Sequence, residues 1–270
     1  MAVKLLALPV RLIQWGLAEL KLAWRRKERR RIARRRKGTV VLVQGAITAQ
    51  DSTHTGSCRG HMTFAELLKD PASLFELAAG NGKAITGKGI IEILEGLKAK
   101  GLLSLVWASD NGPANVCQAV AEWLKQNMVI HLRSRTYQSE DNATAERGIQ
   151  EIKAEAGLGK GVILQRPMQG VRKMQATAER LNLYRPRMSK GGKTSQQLTE
   201  EMPWWYTKVC REEFYQKASA AMQTATLDLT GRAARAAERD AIFRTLELFG
   251  LILRTTGDQR KSYAIPERIS

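Results

Sequence analysis

The sequence predicts an α/β protein in which a mixed sheet is flanked by helices, and three observations lead there. The run LLSLVWAS (102–109) is apolar without alternation, the texture of a strand covered on both faces. Around it, from residue 38 to about 157, β-branched stretches alternate with amphipathic ones. Hydrophobic residues make up 43% of the 270 positions and charged residues 26%, enough apolar material for a core without disulfide staples.

Residues 1–37 read as a basic arm. They hold 13 Lys/Arg against two Glu, so +11 of the net +18 sits there. Val10, Ile13, Leu17, Leu20 and Trp24 recur at steps of three and four, an amphipathic helix. Lys4, Arg11, Gln14 and Glu19 interrupt the apolar run, which argues against a secretory leader or membrane anchor. The block RRKERRRIARRRK (25–37) then concentrates ten basic residues, and Arg25, Arg26, Arg29, Arg30, Arg34 and Arg35 are candidate phosphate contacts. Such a surplus favours a polyanion, because each neutralised phosphate releases condensed counterions. Cys58, Cys117 and Cys210 are odd in number and far apart, which fits a reducing compartment.

The region 38–160 supplies the sheet. TVVLVQ and AITAQDSTH read as a strand stretch ending in a polar cluster, and FAELL (64–68) and SLFELAA (73–79) as two more strands, though by propensity either could be helical. Thr86 precedes the helix GKGIIEILEGLKAK, with Gly101 as its stop. After the buried strand, DNGPAN is a turn leading into the helix VCQAVAEWLKQN (116–127). MVIHLRS is a short strand, TYQSEDN a polar loop, and ATAERGIQEIKAEAG a helix ending near Gly157. Strand-strand-strand-helix-strand-helix-strand-helix is the order of a ribonuclease-H-like sheet of five strands. Residues 161–224 read as a mainly helical tail of this core, and 225–270 as a helix followed by a β-hairpin turning near Gly257-Asp258.

Acids at strand ends and helix starts, among small polar neighbours, are the places to look for chemistry on a polyanion. Cleaving and rejoining a phosphodiester needs the attacking and leaving oxygens held in line, which two divalent ions about 3.5–4 Å apart accomplish. Hard ions of that kind take carboxylate oxygens. Asp51 ends the first strand stretch (AQDSTHTG), Asp110 ends the buried strand (VWASDNGPAN), and Glu146 lies in the first turns of a helix. Between Asp110 and Glu146 lie 35 residues.

In these residues the chain resembles the DDE (D,D-35-E) integrase-core transposases, the superfamily of retroviral-type integrases and insertion-sequence transposases. Asp51-Ser52-Thr53 matches its first motif, Ser109-Asp110-Asn111-Gly112 its second, and Asn142 with Glu146-Arg147 its third. The stretch from Asn182 to Pro203 is similar to its N-x-x-R-P tail, so the similarity spans roughly residues 40–205. The chain departs from the pattern at Ser139, Ala143 and Ser195. The resemblance implies metal-dependent DNA end cleavage and strand transfer by Asp51, Asp110 and Glu146, which are also the expected ligands of two Mg²⁺ (or Mn²⁺) ions. It implies DNA partners (transposon ends and target), a homo-oligomer on DNA, no membrane, and a cytoplasmic or nucleoid location. Lys153, two helical turns beyond Glu146, is in that family a contact to the DNA end, and reads equally as a solvated lysine on the helix.

Other features are weaker. Asn142 reads equally as a loop-orienting residue and a plain N-cap. His54, Cys58 and His61 offer three local ligands in no known finger spacing, so zinc is the minority reading. Trp204, Trp205 and Tyr206 read as glue between tail and core in preference to a base-stacking platform. Asp70 falls where the family carries a non-catalytic aspartate. The helix over residues 10–24 resembles the last helix of a helix-turn-helix unit. Two alternatives stand beside the recombinase: an inactive relic that only binds DNA, and a nuclease acting on RNA–DNA hybrids.

Overall fold

The computed structural model describes residues 38–135 and 142–255. The expected amphipathic helix, Arg25, Arg26, Arg29, Arg30, Arg34 and Arg35, the loop residue Ser139 and the Gly257-Asp258 turn lie outside the described residues. The chain divides into two units, Val40–Leu253 and a second made of Met1–Thr39 with Arg254–Ser270. Among the described residues no helix is long and apolar enough to cross a membrane.

The central sheet has five strands: β2 (Ile47–Cys58), β3 (His61–Lys69), β4 (Glu76–Gly82), β5 (Val106–Ser109) and β6 (Ile130–Arg133). Their spatial order is β4-β3-β2-β5-β6. The pairs β2–β3 and β3–β4 are antiparallel, whereas β2–β5 and β5–β6 are parallel. This is the ribonuclease-H-like sheet, and its order and strand directions carry that statement. The parallel strands need helical crossovers, supplied by α1 (Gly87–Ala99) and by the pair α2 (Pro113–Val116) and α3 (Gln118–Gln126). Helix α4 (Ala143–Ala156) follows β6, then α5 (Met168–Tyr184), α6 (Ser195–Glu201), α7 (Arg211–Thr226) and α8 (Gly231–Leu248). A second, two-stranded sheet pairs β1 (Gly38–Val41) with β7 (Ile252–Thr255).

Local chemistry sets most helix ends where the sequence places them. Thr86 Oγ1 accepts from the Gly89 N–H at 3.2 Å and opens α1. Pro113 occupies the first turn of α2, where its missing N–H costs nothing. Thr194 and Gln197 form a capping box on α6. Gly157, left-handed at φ 61°, returns its N–H to Lys153 O and ends α4.

Two strand readings need correction. Asp51 does not end a strand: it is the fifth of the twelve residues of β2, which runs on to Cys58 because β3 pairs with it down to Cys58↔His61. The hairpin closes through Arg59 (φ 51°) and Gly60 (φ 80°), both left-handed as a two-residue turn requires. The strand assigned to 73–79 starts later, at Glu76, because Asp70 accepts from the N–H and Oγ of Ser73 and folds that segment into a turn. Strand β7 pairs with β1, and Val41 and Ile252 of that pair enter one apolar cluster; the return strand of the expected carboxyl-terminal hairpin lies outside the described residues.

The strand period of two sends alternate residues to opposite layers. On one face, Leu68 and Trp107 pack with Ile90 and Leu94 of α1 and Val120 and Leu124 of α3. On the other, Leu67 meets Ile149 and Ile152 of α4 and Met174 of α5. On that same face Ile47, Val106, Ile130 and Leu132 meet Phe214 of α7 with Ile242 and Leu246 of α8. Side chains of this size contribute roughly 1.5–3 kcal/mol each when fully buried.

Candidate active site

The sheet register brings two of the three candidate acids together. Strands β2 and β5 pair in parallel as far as Ala49↔Ala108. Asp51 and Asp110 each stand two positions further on, so they share a face and a level on neighbouring strands. Adjacent strands lie about 4.8 Å apart. Asp51 lies opposite Leu67 in β3, and Leu67 packs against α4. Glu146 is in the first turn of α4, one turn from Ile149 on the same stripe. The three acids therefore come from β2, from the turn after β5, and from the helix lying over that face.

Each has local support. Asp110 Oδ1 accepts from the Gly112 N–H at 2.9 Å and from Asn115 Nδ2 at 2.7 Å, so the Asp-Asn-Gly-Pro turn and α2 orient it. Asp51 Oδ1 accepts from the Ser52 N–H at 2.9 Å. Burial pushes the Asp51 carboxyl from its ordinary 3.8 up to about 6. The Ser52 N–H works against this rise, and the nearby carboxylates of Asp110, Glu146 and Glu66 add to it. Asn142 stands at the N-cap position of α4 without a side-chain capping bond. Its Nδ2 instead donates to the Gln50 carbonyl at 3.2 Å, tying the start of α4 to β2 beside Asp51. Lys153 Nζ donates to Thr53 Oγ1 at 3.2 Å, so that lysine also faces β2, two residues beyond Asp51.

One acid escaped the sequence reading. Glu66, fully buried on β3 opposite Ser52, accepts from Ser52 Oγ at 2.7 and 2.8 Å and from Gln50 Nε2. Burial holds its carboxyl above the usual range. The available signal was a lone glutamate inside the apolar strand FAELL.

The donor set fits a hard divalent cation. It is all carboxylate oxygen, and the mutual repulsion that adds to the burial-driven rise of Asp51 is what a cation would relieve. The carboxylates are within electrostatic reach of each other but are not drawn to ligand distance. Among the described residues no three His, Cys, Asp or Glu side chains are grouped so as to hold a metal ion. That holds also for His54, Cys58 and His61. His54 lies edge-on to Phe64, and Cys58 Sγ points to the Gln165 carbonyl. His131 bonds Ser109 Oγ at 2.9 Å and is pushed down to about 4 by burial and the charges of Arg133 and Arg235.

The family-like tail is a brace for α4. Asn182 bonds both the N–H and the carbonyl of Glu76, at 3.0 and 2.8 Å. Arg185 pairs with Glu151 and Glu155 of α4. Arg187, only 8% exposed, reaches Glu151 at 2.8 Å, Glu76 at 3.6 Å and Ser195 Oγ at 3.1 Å. Lys69 completes the group on Glu76. Ser195, a departure from the family's pattern, also donates to the Leu74 carbonyl at 3.0 Å. Asp70 is structural, accepting from Gly45 and Ser73. Trp204 and Trp205 crowd Gly45, where an added Cβ would come within 2.9 Å of both rings. Arg211 stacks on Trp205 and donates to the Leu103 and Ser104 carbonyls, so the tryptophans join tail to core.

No protein-family model and no curated protein matches the chain. Solved structures of similar fold include integrases. A chain of the simian T-cell lymphotropic virus intasome aligns at TM-score 0.48 and 18% identity, covering 60% of this chain and 56% of its own length. The HTLV-2 integrase catalytic core domain, in complex with magnesium, aligns at 0.46 and 18%, covering 58% of this chain and 98% of that one. The catalytic core domain of BIV integrase aligns at 0.44 and 16%, covering 58% and 95%.

Proposed function

We propose that the protein is a metal-dependent polynucleotidyl transferase of the integrase–transposase kind, which cleaves DNA ends and joins them to target DNA. The observation that carries this reading is the parallel β2–β5 register, which sets Asp51 on β2 level with Asp110 just past the end of β5, under the helix that presents Glu146. Asp51 and Asp110 would hold Mg²⁺ or Mn²⁺ jointly, and Glu146 would complete a second position. The ions would supply charge stabilisation on the entering and leaving phosphodiester oxygens.

The chain's own residues do the rest. Gly112 and Asn115 fix the Asp110 carboxylate, and Asn142 fixes the helix start from which Glu146 projects. Lys153, held beside Asp51 through Thr53, is placed to neutralise a phosphate of the bound end. In this reading the arginines of residues 25–35 add sequence-independent grip on the duplex. The protein works on DNA in the cytoplasm or nucleoid as a homo-oligomer that brings two ends together.

The test incubates purified protein with Mg²⁺ or Mn²⁺ and either supercoiled plasmid or candidate terminal-repeat duplex, scoring nicks and joined products. Asp110→Asn is expected to lose both products, by at least about a hundredfold, while DNA retention in a gel is unchanged. Full activity in that variant overturns the assignment. Binding without either product in the unaltered protein favours the relic.

A further inference from the structure

We propose that Glu66 is a positioning residue: its single buried carboxylate holds the β2 backbone on both sides of Asp51, through Gln50 and Ser52. The inference rests on the reading of Asp51 as a metal-holding residue.

Apolar packing gives no reason for an acid here. Ala65, Leu67 and Leu68 around it are core residues, and Glu66 itself has no exposed surface. Burying a carboxylate is costly unless donors meet it. Among the described residues no ion pair forms on Glu66, and its donors are the neutral Ser52 Oγ and Gln50 Nε2. Those two residues flank Asp51 in sequence. Side chains alternate along β2, so Gln50 and Ser52 project to the Glu66 face while Asp51 projects to the α4 face. Glu66 is thus on the wrong side of the sheet to be a ligand beside Asp51.

Its reach goes through the backbone. The Ser52 N–H donates to Asp51 Oδ1, and the Gln50 carbonyl accepts from Asn142 at the start of α4. One carboxylate therefore governs the orientation of Asp51 and the anchor of the helix carrying Glu146. The need is local: β5 stops pairing with β2 at Ala49, so residues 50–52 have lost their ladder on that side. A metal site tolerates displacements of only about 0.5 Å, and the Gln50–Glu66–Ser52 clamp takes the place of the missing hydrogen bonds.

The experiment titrates Mn²⁺ into the full-length chain by calorimetry and, in parallel, measures Mn²⁺-dependent plasmid nicking. Glu66→Ala is expected to weaken Mn²⁺ binding by about tenfold to a hundredfold, the usual effect of losing a residue that orients a metal ligand. Its kcat should fall while KM for plasmid holds. Glu66→Gln should recover most of the loss, because its carbonyl still accepts from Ser52 and its amide meets Gln50 Oε1, a buried atom otherwise without a partner. If Glu66→Ala fails to fold, Ser52→Ala, at an exposed position, serves instead, with an expected loss of about fivefold, the worth of one hydrogen bond. Asp51→Asn is the control. If Asp51→Asn abolishes Mn²⁺ binding while Glu66→Ala and Ser52→Ala bind as the parent does, the positioning role is overturned and the metal site stands. If Asp51→Asn also binds as the parent, the metal site falls and the positioning role with it.

Discussion

At the scale of the residue, Asp51 is an acid in an uncomfortable place. Its folded-state value of about 6 lies above its ordinary 3.8, so between those values the native state holds a proton the unfolded chain has released. Stability from that proton is complete below pH 3.8 and is lost as the pH rises through 6. Above pH 6 the ionised carboxylate strains the fold. In metal-free buffer, Asp51→Asn should therefore raise stability at pH 7.5, by about 1 kcal/mol once solvent screening of this partly exposed group is allowed for, and the gain should vanish near pH 4; paired thermal melts with EDTA read this directly. A melting temperature for Asp51→Asn equal to or below the parent's at pH 7.5 contradicts the account. Asp51, Asp110 and Glu146 could be singled out as candidates from the sequence because each sits in a short local motif. Glu66 could not: its meaning lies in the register that sets it opposite Ser52, and strand register is a non-local property. Asn142 was half legible: its position at the helix start was readable, but its side chain makes no capping bond and its partner is 92 positions away.

At the scale of the element, α4 decides where Glu146 stands. It approaches the sheet most closely at Gly148, where an added Cβ would lie 2.8 Å from Leu67 Cδ2 and 2.9 Å from Glu76 Oε1. Leu67 is fully buried and Glu76 is held by Lys69, so neither can yield easily. Gly148→Ala gains about 1 kcal/mol of helix propensity against an overpacking penalty of about 1–3 kcal/mol. The expected result is a net loss of roughly 1 kcal/mol in urea unfolding, with reduced nicking because α4 lifts away from Asp51. A stabilised, fully active variant would show that the helix has slack at this point. Helix limits were readable because capping residues announce them, as Thr86, Thr194 and Gly157 do. Strand limits were not, because partners set them. The turn Arg59-Gly60 lacks the Asn-Gly signal that marks most tight hairpins, so β2 looked finished at its polar stretch when it was only half built.

At the scale of the whole molecule, the tail after Gly157 works as scaffold for the sheet. Helices α5, α7 and α8 cover the sheet face on which Asp51 lies, and Asn182, Arg185 and Arg187 close on β4 and α4. A buried ion pair deprived of one partner is destabilised by about 3–5 kcal/mol, a large share of a typical domain's 5–15 kcal/mol. A fragment of residues 38–160 should then fail to melt cooperatively, whereas one of residues 40–253 should melt as a unit in circular dichroism. A sharp transition in the shorter fragment would refute this. The order of synthesis gives the brace a further meaning. A ribosome releases Asp51, Asp110 and Glu146 well before Arg187 is made, so a growing or prematurely terminated copy carries the three acids without the clamp that seats α4. Under the proposed function, its DNA chemistry begins only once the tail through Arg187 has been made.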